Sequence, residues 1–430
     1  MRIKQIAIIG IIFLVALFAG VMFTGSGPSN YFSESEEYDL IAIEPVQTVT
    51  LVSNKIPGTT LYKNIEEDKK ITDEDISKTS STKIAAQNIP EVSKFVVETF
   101  SPDFNNLRND NFISLVDSIS AGGMLMFSMY GITDTGVSES LVAAHQRGVD
   151  IQGVIDFDWG PNGKVNSNQK LIIQGLIDGL GVDSDGNNRL AVSSGSSGSQ
   201  SIHTKIVVSK QPNGVTTSEI HTGNLFESTD NGFNLVARSL DKNVHDELTK
   251  ILVIQLHNAH NPEELKQLPH LVSLSSNEML RTAPHSQDIL TEMEELFVLD
   301  GINTIEKVRI AIPYISDPNA VKKMIDLHNQ GKQVQVITTS RYASNPIDEL
   351  RDAGIDVLEA PVPIAGGFHS KTIEISGTDS KGKNVSLATI GSANLLKSSV
   401  KVDEINLITW SEDSVSAISD AIDSLIAKTP

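Results

Sequence analysis

The 430-residue sequence predicts an α/β protein of two pseudo-twofold-related lobes, each a mainly parallel sheet flanked by helices. Three observations predict it. The runs Met124-Leu-Met-Phe-Ser-Met-Tyr130 and Val308-Arg-Ile-Ala-Ile-Pro-Tyr314 share an apolar strand character and a closing Tyr, which marks an internal repeat. Each is followed by an Asp (Asp134, Asp317), a helix-like stretch closing on a Gly (Gly148, Gly331) and a further apolar strand, the signature of a βαβ unit. Finally, 39% of the residues are hydrophobic in a chain this long, enough to bury one large or two medium cores.

The elements follow in order. Arg2 and Lys4 precede an uncharged apolar run from Ile6 to Phe23, about 18 residues and long enough to approach the hydrocarbon thickness of a bilayer. Residues 1–24 therefore read as a signal anchor or signal peptide, with the uncleaved anchor favoured because the run exceeds a usual h-region. The positive flank lies before the run and Glu34, Glu36, Glu37 and Asp39 lie after it, which directs the remainder outside the cytoplasm, anchored or, after cleavage, secreted. Residues 25–90 are polar and locally acidic and read as a tether. Dense apolar periodicity then fills 91–268 and 269–430, the two lobes. The Ser/Gly tract Ser193 to Ser199 reads as a surface loop ahead of a histidine. The Met-rich strand reads as core packing.

With 34 Lys+Arg against 54 Asp+Glu the formal charge is −20, and no basic run exceeds a pair such as Lys322-Lys323. A protein that coats duplex through phosphate neutralisation is excluded, so any polyanion must meet a local site. The absence of cysteine excludes disulfides, thiolate catalysis and Cys-ligated metals.

Chemistry concentrates in two His-x-Lys segments, one per lobe: His203-Thr204-Lys205 and His369-Ser370-Lys371. Alternation along a strand puts both side chains on one face, where they can address one bound group. Downstream of the second stands Gly391-Ser392-Ala393-Asn394, and ten residues after that Asn comes Glu404. Downstream of the first stands His221-Thr222-Gly223-Asn224, and ten residues after that Asn comes Asn234.

Three features in register in both halves resemble the phospholipase D superfamily, over about Glu91 to Ile426, including Phe100-Ser-Pro-Asp103 at the first strand and turn. The resemblance implies two phospholipase D-like lobes with one active site in the cleft between them. It also implies a phosphoric diester hydrolase, with phosphatidyl transfer as a related outcome, that needs no cofactor and no metal. One His would form a phosphohistidine and the other would protonate the leaving alcohol. His203 is assigned as nucleophile, supported by Glu404 from the opposite lobe, and His369 as general acid, faced by Asn234. Lys205 and Lys371 would clamp the phosphate, with Asn224, Asn394, Ser392 and Thr222 donating hydrogen bonds. The residue chemistry agrees: an anionic, weakly electrophilic phosphodiester needs positive donors, a nucleophile and an acid, and an imidazole works as either of the last two near neutral pH.

The sequence departs from the family pattern at Lys210 and Ser376, where the full motif carries Asp, at His221, where the first copy lacks its Gly-Ser start, and at Asn234, where an acid is expected. An active enzyme is the main reading and an inert phosphate-binding descendant the other. Phospholipid is the favoured substrate, because an anchored extracytoplasmic enzyme sits beside lipid. A membrane-anchored nuclease is the alternative, since single strands need only a small groove. A monomer is compatible with all of this, because both half-sites lie in one chain. The other candidates have structural readings: His257 and His260 as surface residues, His145 and His328 at helix C-termini, and Asp156-Phe-Asp158-Trp159 at a strand end on the pocket rim.

Overall fold

The computed structural model describes residues 93–101, 107–156, 167–193, 201–226, 232–298, 303–339, 344–360 and 368–428. The apolar run 6–23, the tether, Pro102-Asp103, most of the Ser/Gly tract, Asp158 and Trp159 lie outside them. Among the described residues no helix is long and apolar enough to cross a membrane.

Two sheets carry the fold. The first comprises β1 (Val96–Phe100), β2 (Met124–Met129), β3 (Asp150–Asp156), β4 (Leu190–Ser193), β5 (Ile206–Lys210), β6 (Thr216–His221) and β7 (Asn234–Ser239), in the order β1-β7-β6-β5-β2-β3-β4. The second comprises β8 (Leu271–Ser273), β9 (Glu278–Ala283), β10 (Asn303–Ala311), β11 (Gln333–Thr338), β12 (Asp356–Glu359), β13 (Thr372–Asp379), β14 (Asn384–Gly391) and β15 (Glu404–Thr409), in the order β12-β11-β10-β13-β14-β15-β9-β8. From β7 to β4 and from β15 to β12 the two orders correspond strand for strand, so the predicted twofold repeat is present.

One expectation is corrected. The sheets are not mainly parallel: β2-β3-β4 and β10-β11-β12 pair in parallel, whereas the remaining neighbours run antiparallel. The reason is local. Each His-x-Lys segment leads into a hairpin, β5-β6 or β13-β14, whose turn holds a glycine at positive φ, Gly214 or Gly382, and a short turn permits only antiparallel return.

The βαβ units form as the repeat predicts. Helix α1 (Arg108–Ser118) precedes β2; α2 (Thr135–Gln146) and α3 (Ser167–Leu180) make the two crossovers of the first sheet. Asp134 caps α2 by accepting from Val137 N, and after α2 the chain reverses at Gly148 with φ 95°. His145 lies in the last turn with Nδ1 3.3 Å from the Val149 carbonyl, in keeping with its helix-terminal reading. The first sheet closes on α4 (Lys242–His260), and α5 (Ile289–Val298) precedes β10. In the second sheet α6 (Pro318–Asn329) and α7 (Ser344–Asp352) make the crossovers. Asp317 and Gly331 bracket α6 in the same way, and α8 (Glu412–Lys428) ends the fold.

Three apolar clusters organise the body. α1, α2 and α3 cover the outer face of the first sheet with Phe112, Val116, Leu141 and Leu176, and α5 and α6 cover that of the second with Phe297, Leu290 and Met324. The central cluster joins both sheets through α4 (Leu248, Leu252) and α8 (Ile418, Ile422). Where the helices do not intervene, β6 and β7 approach β14 and β15 directly. That approach positions the site.

Packing inside β2 is tight. A Cβ on Gly153 of β3 would lie 2.3 to 2.6 Å from the Phe127 ring, so the aromatic ring fills the space that a side chain at 153 would need. Gly153→Ala is expected to destabilise by roughly 1–3 kcal/mol from overpacking, and adding Phe127→Leu should recover part of the loss. Urea unfolding of both single variants and the double variant checks this, and simple additivity would contradict the contact.

Candidate active site

Both His-x-Lys segments lie in extended lead-ins, one residue before β5 and β13 begin. They are held by the opposite lobe, and the first also by its own sheet, where the Lys205 carbonyl accepts from His221 N at 2.8 Å. Ile202 bridges Asp403 in parallel and His203 N donates to the Asp403 carbonyl (2.9 Å), while Phe233 bridges Phe368 and His369 N donates to the Phe233 carbonyl (3.0 Å). Each histidine therefore follows a residue paired across the lobes and faces the position at which the other lobe carries Glu404 or Asn234. The lead-ins sit beside the carboxyl ends of the parallel strands, since β5 runs antiparallel to β2 and β13 to β10.

The first half-site is backed by an acid. His203 Nδ1 lies 2.8 and 2.9 Å from the two oxygens of Glu404, which assigns a proton to Nδ1 and turns Nε2 away from the acid. Glu404 is wholly buried. Burial alone would raise its pKa, but the charges of His203 and Lys205 and the hydrogen bonds from His203 and Ser392 hold it below the ordinary carboxylate value. Ser392 Oγ donates to Glu404 and accepts from Ile405 N at 2.9 Å. Lys205 Nζ donates to the His203 carbonyl at 2.7 Å and stands 5.9 Å from the Tyr130 ring centre, and that ring meets His203 edge-on at 5.3 Å.

The second half-site is cationic. His369 Nδ1 is 3.0 Å from the Thr222 carbonyl, which also accepts from Lys371 Nζ at 3.0 Å, and that ammonium is 2.9 Å from the ring nitrogen. Burial, then Lys371, Lys205, Arg108 and His203, hold the His369 pKa well below its ordinary value, which favours the neutral imidazole. Asn234 points its Oδ1 toward Arg108 Nη1 at 3.4 Å and donates to the Gly232 carbonyl.

The structure thus brings His203, Lys205, His369, Lys371 and Glu404 together. Asn224 and Asn394 occupy matching positions and are each 3% exposed. Ser392 and Thr222, read from sequence as substrate donors, stand behind the histidines. Thr222 Oγ1 accepts from Leu235 N (2.9 Å) as Ser392 Oγ does from Ile405 N, so both hydroxyls fasten one strand to the next.

Two residues escaped the sequence reading. Arg108 is fully buried beside Asn224 and Asn234, and its signal was Gly223, a glycine where lobe two has Ala393. Asp403, next to Glu404, is also buried, and its carboxyl accepts from Gln255 Nε2 at 3.2 Å. Asp156, at the end of β3, pins the first lead-in by accepting from Ser201 Oγ and Ile202 N, both at 2.7 Å.

Among the described residues, one cluster offers three metal-type ligands, His270, His285 and Glu292. The two rings stack in parallel 3.5 Å apart, so their in-plane lone pairs do not converge, and Glu292 is already held by His270 Nε2 and Arg281 Nε. The cluster is an ion-pair network. His257, by contrast, meets the Glu264 carbonyl at 3.1 Å.

Asp403 supplies a stability test. Burial and the nearby Glu404 and Asp156 push its pKa up to about 7, against a hydrogen bond from Gln255. A carboxyl raised in the fold costs stability once pH exceeds its unfolded value, and the cost grows until the folded value is passed. Asp403→Asn should therefore raise Tm more at pH 8 than at pH 5, and equal shifts at the two pH values would contradict the assignment.

Residues 300–426 match the family described as "Cardiolipin synthase, PLD-like domain". No curated protein matches the sequence. The fold is similar to that of phosphatidylserine synthase from Haemophilus influenzae Rd KW20, with TM-score 0.53 and 11% identity over 84% of this chain and 91% of that one. It is also similar to polyphosphate kinase from Porphyromonas gingivalis, with TM-score 0.51 and 11% identity over 77% of this chain. The chain spans about half the length of that kinase, 50%. At such identity these likenesses establish a shared fold. Residues 300–426 thus match the phospholipase D-like family, the first lobe repeats the strand order of the second, and the fold is shared with phosphatidylserine synthase.

Proposed function

We propose that the protein is a phosphodiesterase of phospholipase D type that acts on phospholipid head groups, and that the two-residue support of His203 by Glu404 and of Glu404 by Ser392 is the observation that carries this reading. In its neutral form His203, with its Nδ1–H on Glu404, presents the Nε2 lone pair, as an acid-backed imidazole does in a hydrolase triad. Nε2 attacks phosphorus, forming a P–N bond as the P–O bond to the head-group alcohol breaks. His369, protonated in the bound state, gives its Nε2 proton to the departing oxygen. It then takes a proton from water, the hydroxide attacks phosphorus, the P–N bond breaks and His203 is restored. With an alcohol in place of water the same step is transfer.

His369 is neutral in the free protein, so its proton must arrive with substrate. A phosphodiester anion offsets the charges of Lys371 and Lys205 and makes the imidazolium affordable at that moment. Arriving together, anion and proton restore the balance that a fixed acid gives His203.

The choice of lipid rests on the proposed anchor at 6–23, the lack of basic runs and the name of the family matched over 300–426. On this reading the lobes work outside the cytoplasm beside the membrane. The donor set of His, Lys and Asn performs each step without a metal.

Purified protein, assayed with EDTA on phosphatidylcholine and phosphatidylglycerol vesicles and on short single-stranded DNA, should cleave the lipid. His203→Ala and Lys371→Ala should each lose at least roughly 10³-fold in kcat, because removal of one member disables a unit that acts together. DNA cleavage abolished by His203→Ala would move the enzyme to the nucleases, and silence on all substrates would support an inert phosphate-binding descendant. Glu404→Gln should cost about 10²–10⁴-fold by misassigning the His203 tautomer. Because the acid form of His369 is scarce in the free protein, kcat/KM should fall as pH rises through neutrality, and a profile flat from pH 6 to 8 would refute that role.

A further inference from the structure

The position that gives His203 an acid gives His369 none. Asn234 stands there, and a cation lies behind it. Arg108, in the first turn of α1, is fully buried. Its Nη1 is 3.4 Å from Asn234 Oδ1, its Nη2 is 3.0 Å from Asn109 Oδ1, and Nη2 also donates to the Asn224 carbonyl. Asn109 is in turn fixed by Asp134 Oδ2 (2.8 Å) and the Phe226 carbonyl (3.3 Å). The guanidinium is therefore built into the turn Thr222-Gly223-Asn224, whose Thr222 carbonyl meets both His369 Nδ1 and Lys371 Nζ.

Gly223 records the same fit. A Cβ there would lie 2.1 Å from Arg108 Nη1 and 2.0 Å from Asn234 Oδ1, so only glycine leaves room for the guanidinium. The matching residue of the second lobe is Ala393, which directly follows the acid-supporting Ser392. Glycine and asparagine, with a buried arginine behind them, stand in one half where alanine and glutamate stand in the other.

We propose that Arg108 is a positioning residue of the active site: from behind Asn234 it clamps the turn that orients His369 and Lys371 and places a fixed positive charge beside the second half-site. The inference rests on the functional reading above and explains how one pseudo-symmetric scaffold gives two histidines different work. His203 is polarised by a carboxylate, whereas His369 faces Lys371 on its own lead-in, Lys205 and His203 from the first lobe, and Arg108 from α1. A bound phosphodiester is the group that can balance them.

The test is an NMR titration of the histidine ring resonances of the full chain without substrate, the His369 signal being assigned by its loss in His369→Asn. Arg108→Gln should raise the His369 midpoint by roughly half a pH unit or more, as expected when a nearby like charge is removed. Arg108→Lys should restore most of the original midpoint. Gly223→Ala, which keeps the arginine but takes its space, should shift the midpoint upward as well. An unmoved midpoint in a folded Arg108→Gln or Gly223→Ala variant overturns the role, and if Arg108→Gln does not fold, Gly223→Ala decides. No turnover is needed. The expected shift in a protein silent toward every phosphodiester would still uphold the Arg108 assignment and would count against the proposed activity instead.

Discussion

The hydrogen bond between His203 Nδ1 and the buried carboxylate of Glu404 is the constraint on which the site depends. It joins residues about 200 positions apart, one from each lobe. A carboxylate removed from water must be paired and hydrogen-bonded, because an isolated buried charge is costly. Ser392 meets part of that need from the same lobe, and His203 meets the rest only when the lobes are docked in this register. The two parallel bridges, Ile202 to Asp403 and Phe233 to Phe368, hold the same register through the backbone. Fold, docking and chemistry thus share one geometric condition.

Around that contact the scaffold is symmetric and the electrostatics are not. Both halves use a hydroxyl, Thr222 or Ser392, to tie adjacent strands, and both place Lys two residues after His. One half then buries Glu404 with Asp403 beside it, and the other buries Arg108. In a chain of formal charge −20, Lys205, Lys371 and Arg108 are nevertheless gathered around the two imidazoles. Buried cations interact through a lower effective dielectric than surface ones, so the local field and not the net charge governs what binds here. An acidic protein can therefore hold an anion at one point without attracting polyanions elsewhere.

The layers around the site explain why it is rigid. Outer helices bury one face of each sheet, while α4 and α8 fill the space between the sheets. Gln255 of α4 reaches from that central layer to Thr204 (2.9 Å) and Asp403, and Thr204 also meets Ser128 of β2 at 2.6 Å. The middle residue of the first His-x-Lys segment is thereby anchored to its own sheet, to the central helix and, through Asp403, to the other lobe. Close-packed surroundings transmit such constraints with little slack, which suits a site that must hold reacting groups in fixed positions.

The sequence by itself determined the repeat, the βαβ units and most of the functional set, because these are periodic or local. Asp134 and Asp317 start helices, Gly148 and Gly331 end them, and His-x-Lys with its downstream Asn recurs in register. Pairing of Glu404 with His203 was legible through the family resemblance. Sheet direction was not, since a hairpin and a crossover both read as successive apolar strands until the turn is seen to close. Nor was the use of Ser392 and Thr222 to tie strands, because a hydroxyl's partner is chosen by what lies above it in three dimensions. Arg108 left only an indirect mark, the missing side chain of Gly223 more than 100 positions away. Long-range charge placement belongs to the tertiary structure, because burial and neighbours, not residue type, decide whether an imidazole is held neutral or a carboxylate ionised.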